Sequence, residues 1–266
     1  MTTMALTSEM LAIEPDISHI VTEDDIPVDN IFSERQQDLL KDSLYASWAG
    51  PGEERKFLGL VNVGLYYAIH TPPYVPDVLV SLDVQPPAEV WEKRHRSYFI
   101  WEYGKPPDVV IEIVSNRVGG ELDKKRRGYA RLGIPYYIIY DPEMQASKQT
   151  LLILELRGGV YAEITEPWLP LVGLGVTLWQ GEYKDIEATW LRWCEIDGEL
   201  LLTGVELAQQ ERQRAERERQ RAEREEQRAE REEQRAEREE QRAEQERQRA
   251  ERLVAQLRAL GIDPEV

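Results

Sequence analysis

The chain is poor in cysteine and histidine, and its positive charge falls well short of its negative charge. A single cysteine, Cys194, excludes an internal disulfide. The three histidines, His19, His70 and His95, stand at no spacing that binds zinc. No apolar run approaches the ~20 residues needed to cross a bilayer. The first residues also show no basic segment followed by an apolar core. These absences lead us to expect a cytoplasmic protein with no membrane contact and with Cys194 as a small buried residue.

The deficit of positive charge is uneven. The chain carries 33 basic and 50 acidic residues, a net charge of −17. Residues 205–266 hold 18 acidic and 15 basic side chains, net −3, which leaves 32 acidic and 18 basic, net −14, in residues 1–204. Such a body has no general basic surface for nucleic acid. Phosphate contact must come from a local cluster such as Lys124, Lys125, Arg126 and Arg127, or from a metal.

Three segments are expected. Residues 1–30 read as an acidic arm containing Thr22-Glu23-Asp24-Asp25, residues 31–203 as one α/β domain, and residues 204–266 as a long charged helix. In the domain, Ser33 is the expected N-cap of a helix to about Trp48, stopped by Gly50-Pro51-Gly52. Leu58–Ile69 and Val75–Val84 read as strands. Residues 88–107 read as an excursion rich in Trp and Tyr. Asp108–Val114 is nearly continuous in branched apolar residues, as a central strand should be. Gly119-Gly120 ends it, a helix follows over Glu121–Leu132 with Gly133 as its C-cap, and Tyr136–Tyr140 is the next strand. Strand, helix, strand at this length predicts a parallel crossover unit. Arg157-Gly158-Gly159 marks a hairpin between strands at 151–156 and 160–164. Residues 167–203, rich in Trp and Leu, should pack back on the domain.

The last segment repeats. Alanines recur every seventh residue from Ala208 to Ala250, separated by Glu, Arg and Gln with no Gly or Pro. A continuous helix follows. A coiled coil wants two apolar seam positions per heptad, and here the second is charged. A paired helix and a solvated single helix held by charges three or four apart both fit the repeat.

The chemistry lies where strand alternation fails. On the central strand, Asp108, Val110, Glu112 and Val114 share one face. Glu112 is therefore a carboxylate inside an apolar strand, which costs several kcal/mol unless something compensates its charge. On the next helix Leu122, Lys125, Tyr129 and Leu132 form one face, so Lys125 is the basic residue turned toward the sheet, with Glu121 one turn earlier. Asp77, after Pro76, opens a strand expected beside that of Glu112. Two carboxylates on adjacent strands with a lysine nearby suit Mg²⁺ or Mn²⁺ and phosphodiester hydrolysis.

These residues resemble a known family. Pro76-Asp77, the run Asp108–Ser115 around Glu112, Gly120-Glu121 with Lys125 and Tyr129, Gly133-Ile134-Pro135-Tyr136-Tyr137 and Tyr140-Asp141-Pro142 look like the bacterial Uma-two family of restriction-endonuclease-like proteins, in the PD-(D/E)xK nuclease superfamily. The likeness runs from about residue 25 to 200. Trp190-Leu191-Arg192-Trp193 before a Glu/Arg-rich tail is also similar to many members. The resemblance implies an αβββαβ core with a mixed sheet, a metal at Asp77 and Glu112, and DNA as substrate. The superfamily places its lysine two residues after the glutamate, where this chain has Val114. The family's lysine on the following helix corresponds to Lys125.

Plainer readings stand beside these. Glu112 with Lys125 is also what a structural ion pair would look like. Asp77 is also a common strand-opening aspartate, and Asp108 reads as one. Glu34 is either an accessory acid or part of a solvated helix face, and Tyr129 either core or support for the site. The aromatics at 91–103 either stack bases or pack an excursion. Two functions follow: a metal-dependent DNA endonuclease, or an idle nuclease fold that assembles through its helix. We expect a homodimer through that helix, since cutting a duplex takes two active sites. Sedimentation of the full chain should then show a dimer that becomes a monomer when the chain is ended at Thr203. Monomers from both at high micromolar concentration would contradict it.

Overall fold

The computed structural model describes residues 30–52, 55–115 and 121–259. The expected acidic arm, Asn30 aside, and the Gly119-Gly120 break lie outside them. Two compact units divide the chain, Met1–Val205 and Glu206–Val266.

Helix α1 (Ile31–Ser47) begins three residues earlier than Ser33 suggests. Asn30 is the cap, its side chain accepting the Ser33 backbone N–H at 2.8 Å. Ser33 itself is buried in the first turn. Leu40 and Leu44, one turn apart, enter the core.

The expected strand at 58–69 is two strands in different sheets. β1 (Phe57–Val61) ends at Asn62, whose φ of 51° turns the chain out of the main sheet. Asparagine tolerates this left-handed backbone better than most residues. β2 (Leu65–Tyr66) then pairs in parallel with β4 (Tyr98–Phe99), ahead of the short helix α2 (Ile100–Tyr103). The excursion is thus a small lobe with its own two-stranded sheet.

The main sheet adds β3 (Val78–Leu82), β5 (Val109–Ile113), β6 (Tyr136–Tyr140), β7 (Leu151–Arg157) and β8 (Val160–Glu163), in the order β1-β3-β5-β6-β7-β8. β3 and β5 are antiparallel, β5 and β6 parallel, so the sheet is mixed as expected. Helix α3 (Glu121–Leu132) makes the crossover, and Gly133, at φ 78°, ends it. The β7–β8 turn is Gly158-Gly159, both at positive φ, which a tight hairpin turn demands.

Strand alternation splits the core in two. Val78, Val80, Val109, Ile111, Tyr136 and Ile138 face α1 and the second sheet. Leu79, Val110, Tyr137 and Ile139 face Tyr129 and Ile134 on the α3 side. The second sheet, β9 (Trp168–Leu169), β10 (Leu174–Tyr183) and β11 (Ile186–Cys194), is what the Trp- and Leu-rich stretch becomes. Its long hairpin turns at Lys184 and Asp185, both in left-handed backbone without being glycine. Gln36 ties this sheet to α1, donating to Leu191 O at 2.8 Å and accepting from Leu191 N at 2.9 Å. Cys194 is buried and free, as expected.

Helix α4 (Gly204–Ala259) runs unbroken for 56 residues with none buried. Pairs such as Arg214–Glu218 and Arg219–Glu223, each at 3.1 Å, support it four residues apart. Among the described residues, no helix is long and apolar enough to cross a membrane.

One close approach fixes where α3 sits. A side chain on Gly128 would collide with the Tyr74 hydroxyl and ring, and Tyr74 in turn packs against Tyr129 at 5.1 Å between centroids. Gly128→Val should therefore lower stability by about 1–3 kcal/mol through overpacking, despite valine's better helix propensity. Urea denaturation measures it, and an unchanged midpoint would contradict this account of α3.

Candidate functional site

Asp77 immediately precedes β3, and Val78 pairs with Ile111. Continuing that antiparallel register sets Asp77 opposite Glu112. By alternation Asp77 shares the face of Leu79, and Glu112 that of Val110, so both carboxylates point to the α3 side. From α3, Lys125 and Tyr129, one turn apart, come down on the same spot. The Lys125 Nζ donates to Glu112 Oε2 at 2.7 Å, and the Tyr129 hydroxyl donates to Oε1 at 2.7 Å. Lys124, Arg127 and Arg131 are exposed on the opposite side.

Glu112 is only 5% exposed. Burial pushes its carboxyl up to about 7, the neighbouring Asp77 charge adds to that, and Lys125 with Tyr129 pulls the other way. Burial and then Glu112 raise the Tyr129 phenol far above its ordinary range. Tyr129 therefore acts as a donor to Glu112 and not as a base.

Asp77 is held from two sides. Its Oδ2 accepts the Ile113 backbone N–H at 2.6 Å, and its Oδ1 accepts the Gln37 side-chain amide at 2.9 Å. Gln37, buried on α1, also exchanges hydrogen bonds with the Asn62 amide at 2.9 and 3.3 Å. Asn62 N–H closes the ring by donating to Asp77 O at 3.1 Å. The bend that ends β1 is therefore also part of the site.

Gln37 and Asn62 were not legible as site residues. A glutamine in an amphipathic helix looks like surface, and only the neighbouring positive-φ candidate, Asn-Val-Gly at 62–64, carries a signal. Glu34, the residue singled out on α1, is exposed and pairs with Arg35 at 3.2 Å. Gln37, one turn further on, is the α1 side chain that reaches Asp77. Glu121 opens α3, but its side chain lies outside the described residues. Asp108 is structural: its Oδ2 takes the Leu82 N–H at 2.7 Å and the Lys105 amine at 2.6 Å.

The donor set suits a hard divalent cation. Among the described residues no three His, Cys, Asp or Glu side chains gather as a metal cluster. A cation here would draw on two carboxylates and complete its shell with water and ligand oxygens, which is how Mg²⁺ is commonly held.

Over residues 12–169 the chain matches the Uma2 family, described as "Putative restriction endonuclease". That is more than half of the chain, and the chain belongs to this family. Its fold is accordingly restriction-endonuclease-like. No curated protein matches it.

Removing Lys125 leaves the Glu112 charge buried without its cation. Lys125→Met should destabilise the metal-free protein by about 3 kcal/mol or more at pH 8, the usual cost of breaking a buried pair. A folded-state carboxyl near 7, against 4.5 ordinarily, means the fold favours the protonated form. Its contribution to stability is present below the unfolded value and is lost as pH rises from 4.5 toward 7. Without Lys125 this window extends upward, so the loss should be much smaller at pH 5. Urea denaturation with a chelator at both pH values checks it, and equal losses would contradict it.

Proposed function

We propose that this Uma2-family chain is a metal-dependent endonuclease that hydrolyses DNA phosphodiester bonds at Asp77, Glu112 and Lys125. The observation that carries the reading is the meeting of a buried Glu112 with Lys125 at 2.7 Å, on the strand face that Asp77 also occupies.

Asp77 and Glu112 would hold Mg²⁺ or Mn²⁺. The bound ion would polarise a phosphate oxygen and lower the pKa of a coordinated water. Tyr129 keeps one oxygen of Glu112 fixed, and Gln37, braced by Asn62, and the Ile113 N–H keep Asp77 from rotating away. Such preorganisation holds the two carboxylates in place for a cation. Lys125 holds its ammonium where negative charge grows on the phosphate, and it can orient the attacking water. In the absence of cation, the same ammonium neutralises Glu112. We take the active form as a homodimer, one site per strand of a duplex.

A second reading keeps the fold and drops the catalysis: a nuclease-like body that assembles through α4. The 56-residue helix, with none of its residues buried, and the net −14 of the body favour it. Cleavage decides between them. Plasmid and single-stranded DNA with Mg²⁺ or Mn²⁺ should be cut by the wild type. Asp77→Ala, Glu112→Ala and Lys125→Met should each be slower by at least about 100-fold, as for loss of one preorganised group. Lys125→Met should retain cation binding. No cleavage by the wild type with either metal would favour assembly, and cleavage that survives Glu112→Ala would sink this site.

A further inference from the structure

The aromatics at 91–103 of the excursion, ambiguous between packing and base stacking, divide in the structure. Tyr98 and Phe99 are fully buried, whereas Trp91 is 80% exposed with Val90 beside it also exposed. Trp91 is the most exposed large apolar side chain among the described residues. The four residues from 93 to 96 are Lys93, Arg94, His95 and Arg96, three permanent cations and an imidazole, against Glu89 and Glu92.

This turn is built and held. Lys93–His95 form a single 3-10 turn. The His95 ring meets Glu89 O at 2.6 Å, Arg96 Nε donates to Trp91 O at 3.2 Å, and Arg94 pairs with Glu92 at 2.6 Å. The indole is thus presented on a braced loop, so stacking on it costs little ordering. In the same excursion the Trp101 indole N–H is buried without an acceptor.

The turn is tied to the carboxylate site through the β2–β4 pair. Arg96 is two residues before Tyr98, whose N–H donates to Gly64 O at 2.9 Å, and Gly64 is two residues after Asn62. Chain reach alone keeps Arg96 within roughly 20 Å of Asn62. That is about six nucleotides of a strand rising ~3.4 Å each.

We propose that the Trp91 turn docks unpaired DNA bases flanking the cleaved phosphate, with Trp91 as the stacking platform and Lys93 and Arg96 on the backbone. The proposal rests on the nuclease reading above. Charge selects the occupant: a polyanion is repelled by most of an acidic body and is drawn to a local cationic turn, and an exposed indole beside cations is the pairing that single-stranded nucleic acid uses. An unpaired base is required because a base within a duplex has no free face, so this turn engages DNA that is single-stranded, or a duplex where its strands have opened.

Anisotropy of a labelled single-stranded oligonucleotide, with the full-length protein in chelator and low salt, tests it apart from cleavage. Trp91→Ala should weaken binding about tenfold or more, Trp91→Phe much less, and Lys93→Ala with Arg96→Ala should flatten the salt dependence. Far-UV circular dichroism verifies that the variants fold. Wild-type binding that Trp91→Ala leaves untouched overturns the docking site while the nuclease reading stands. Binding to anionic lipid vesicles in preference to the oligonucleotide also overturns it. Failure of wild type to bind any oligonucleotide overturns it too, and the cleavage assay then decides the nuclease reading separately.

Discussion

A carboxylate in the middle of an apolar strand cannot stay ionised without help, and the surroundings of Glu112 are arranged around that constraint. The strand on which it lies is central and buried, so water cannot supply the compensation. Help comes from α3, whose Lys125 and Tyr129 each take one oxygen of Glu112. That requirement fixes the rotation of α3 over the sheet. The glycine at 128, the Tyr74 ring and the edge-on stack of Tyr129 with Tyr137 follow from bringing the helix that close. On the proposed reading, the same demand for positive charge would draw a cation to this position.

Asp77 answers a different constraint. It stands at a strand entrance, half-buried, where a free side chain would turn to solvent. Two elements prevent this, α1 through Gln37 and β5 through a backbone N–H, and Asn62 at the end of β1 braces Gln37. The departure of the chain from the main sheet at Asn62 makes room for the bond and also launches the small β2–β4 lobe. Thus the aromatic, basic excursion and the carboxylates are joined through a single bend.

The elements that could be read from the sequence are those governed by simple periodicity. Two-residue alternation set Glu112 as a carboxylate within an apolar central strand, 3.6-residue spacing turned Lys125 toward the sheet, and the strand–helix–strand run at 108–140 gave the parallel crossover, while the αβββαβ order came with the family resemblance. What could not be read depends on tertiary contacts. Gln37 and Asn62 gain meaning only when α1 crosses the sheet. The split at Asn62 was hidden because the Leu, Val and Tyr pattern continues through it. The β10–β11 hairpin escaped notice because Lys184 and Asp185 occupy left-handed positions that glycine or asparagine usually announces. Ser33 and Asn30 are both good caps, and only the geometry chooses Asn30.

The central claim is that Asp77 and Glu112 together form a divalent-cation site, and calorimetric titration with Mn²⁺ tests it most directly. The account predicts one saturable site in the wild type, with a higher melting temperature in the presence of the ion, and loss of both effects in Asp77→Ala and Glu112→Ala. Mn²⁺ binding of equal strength in the wild type and both variants would contradict it.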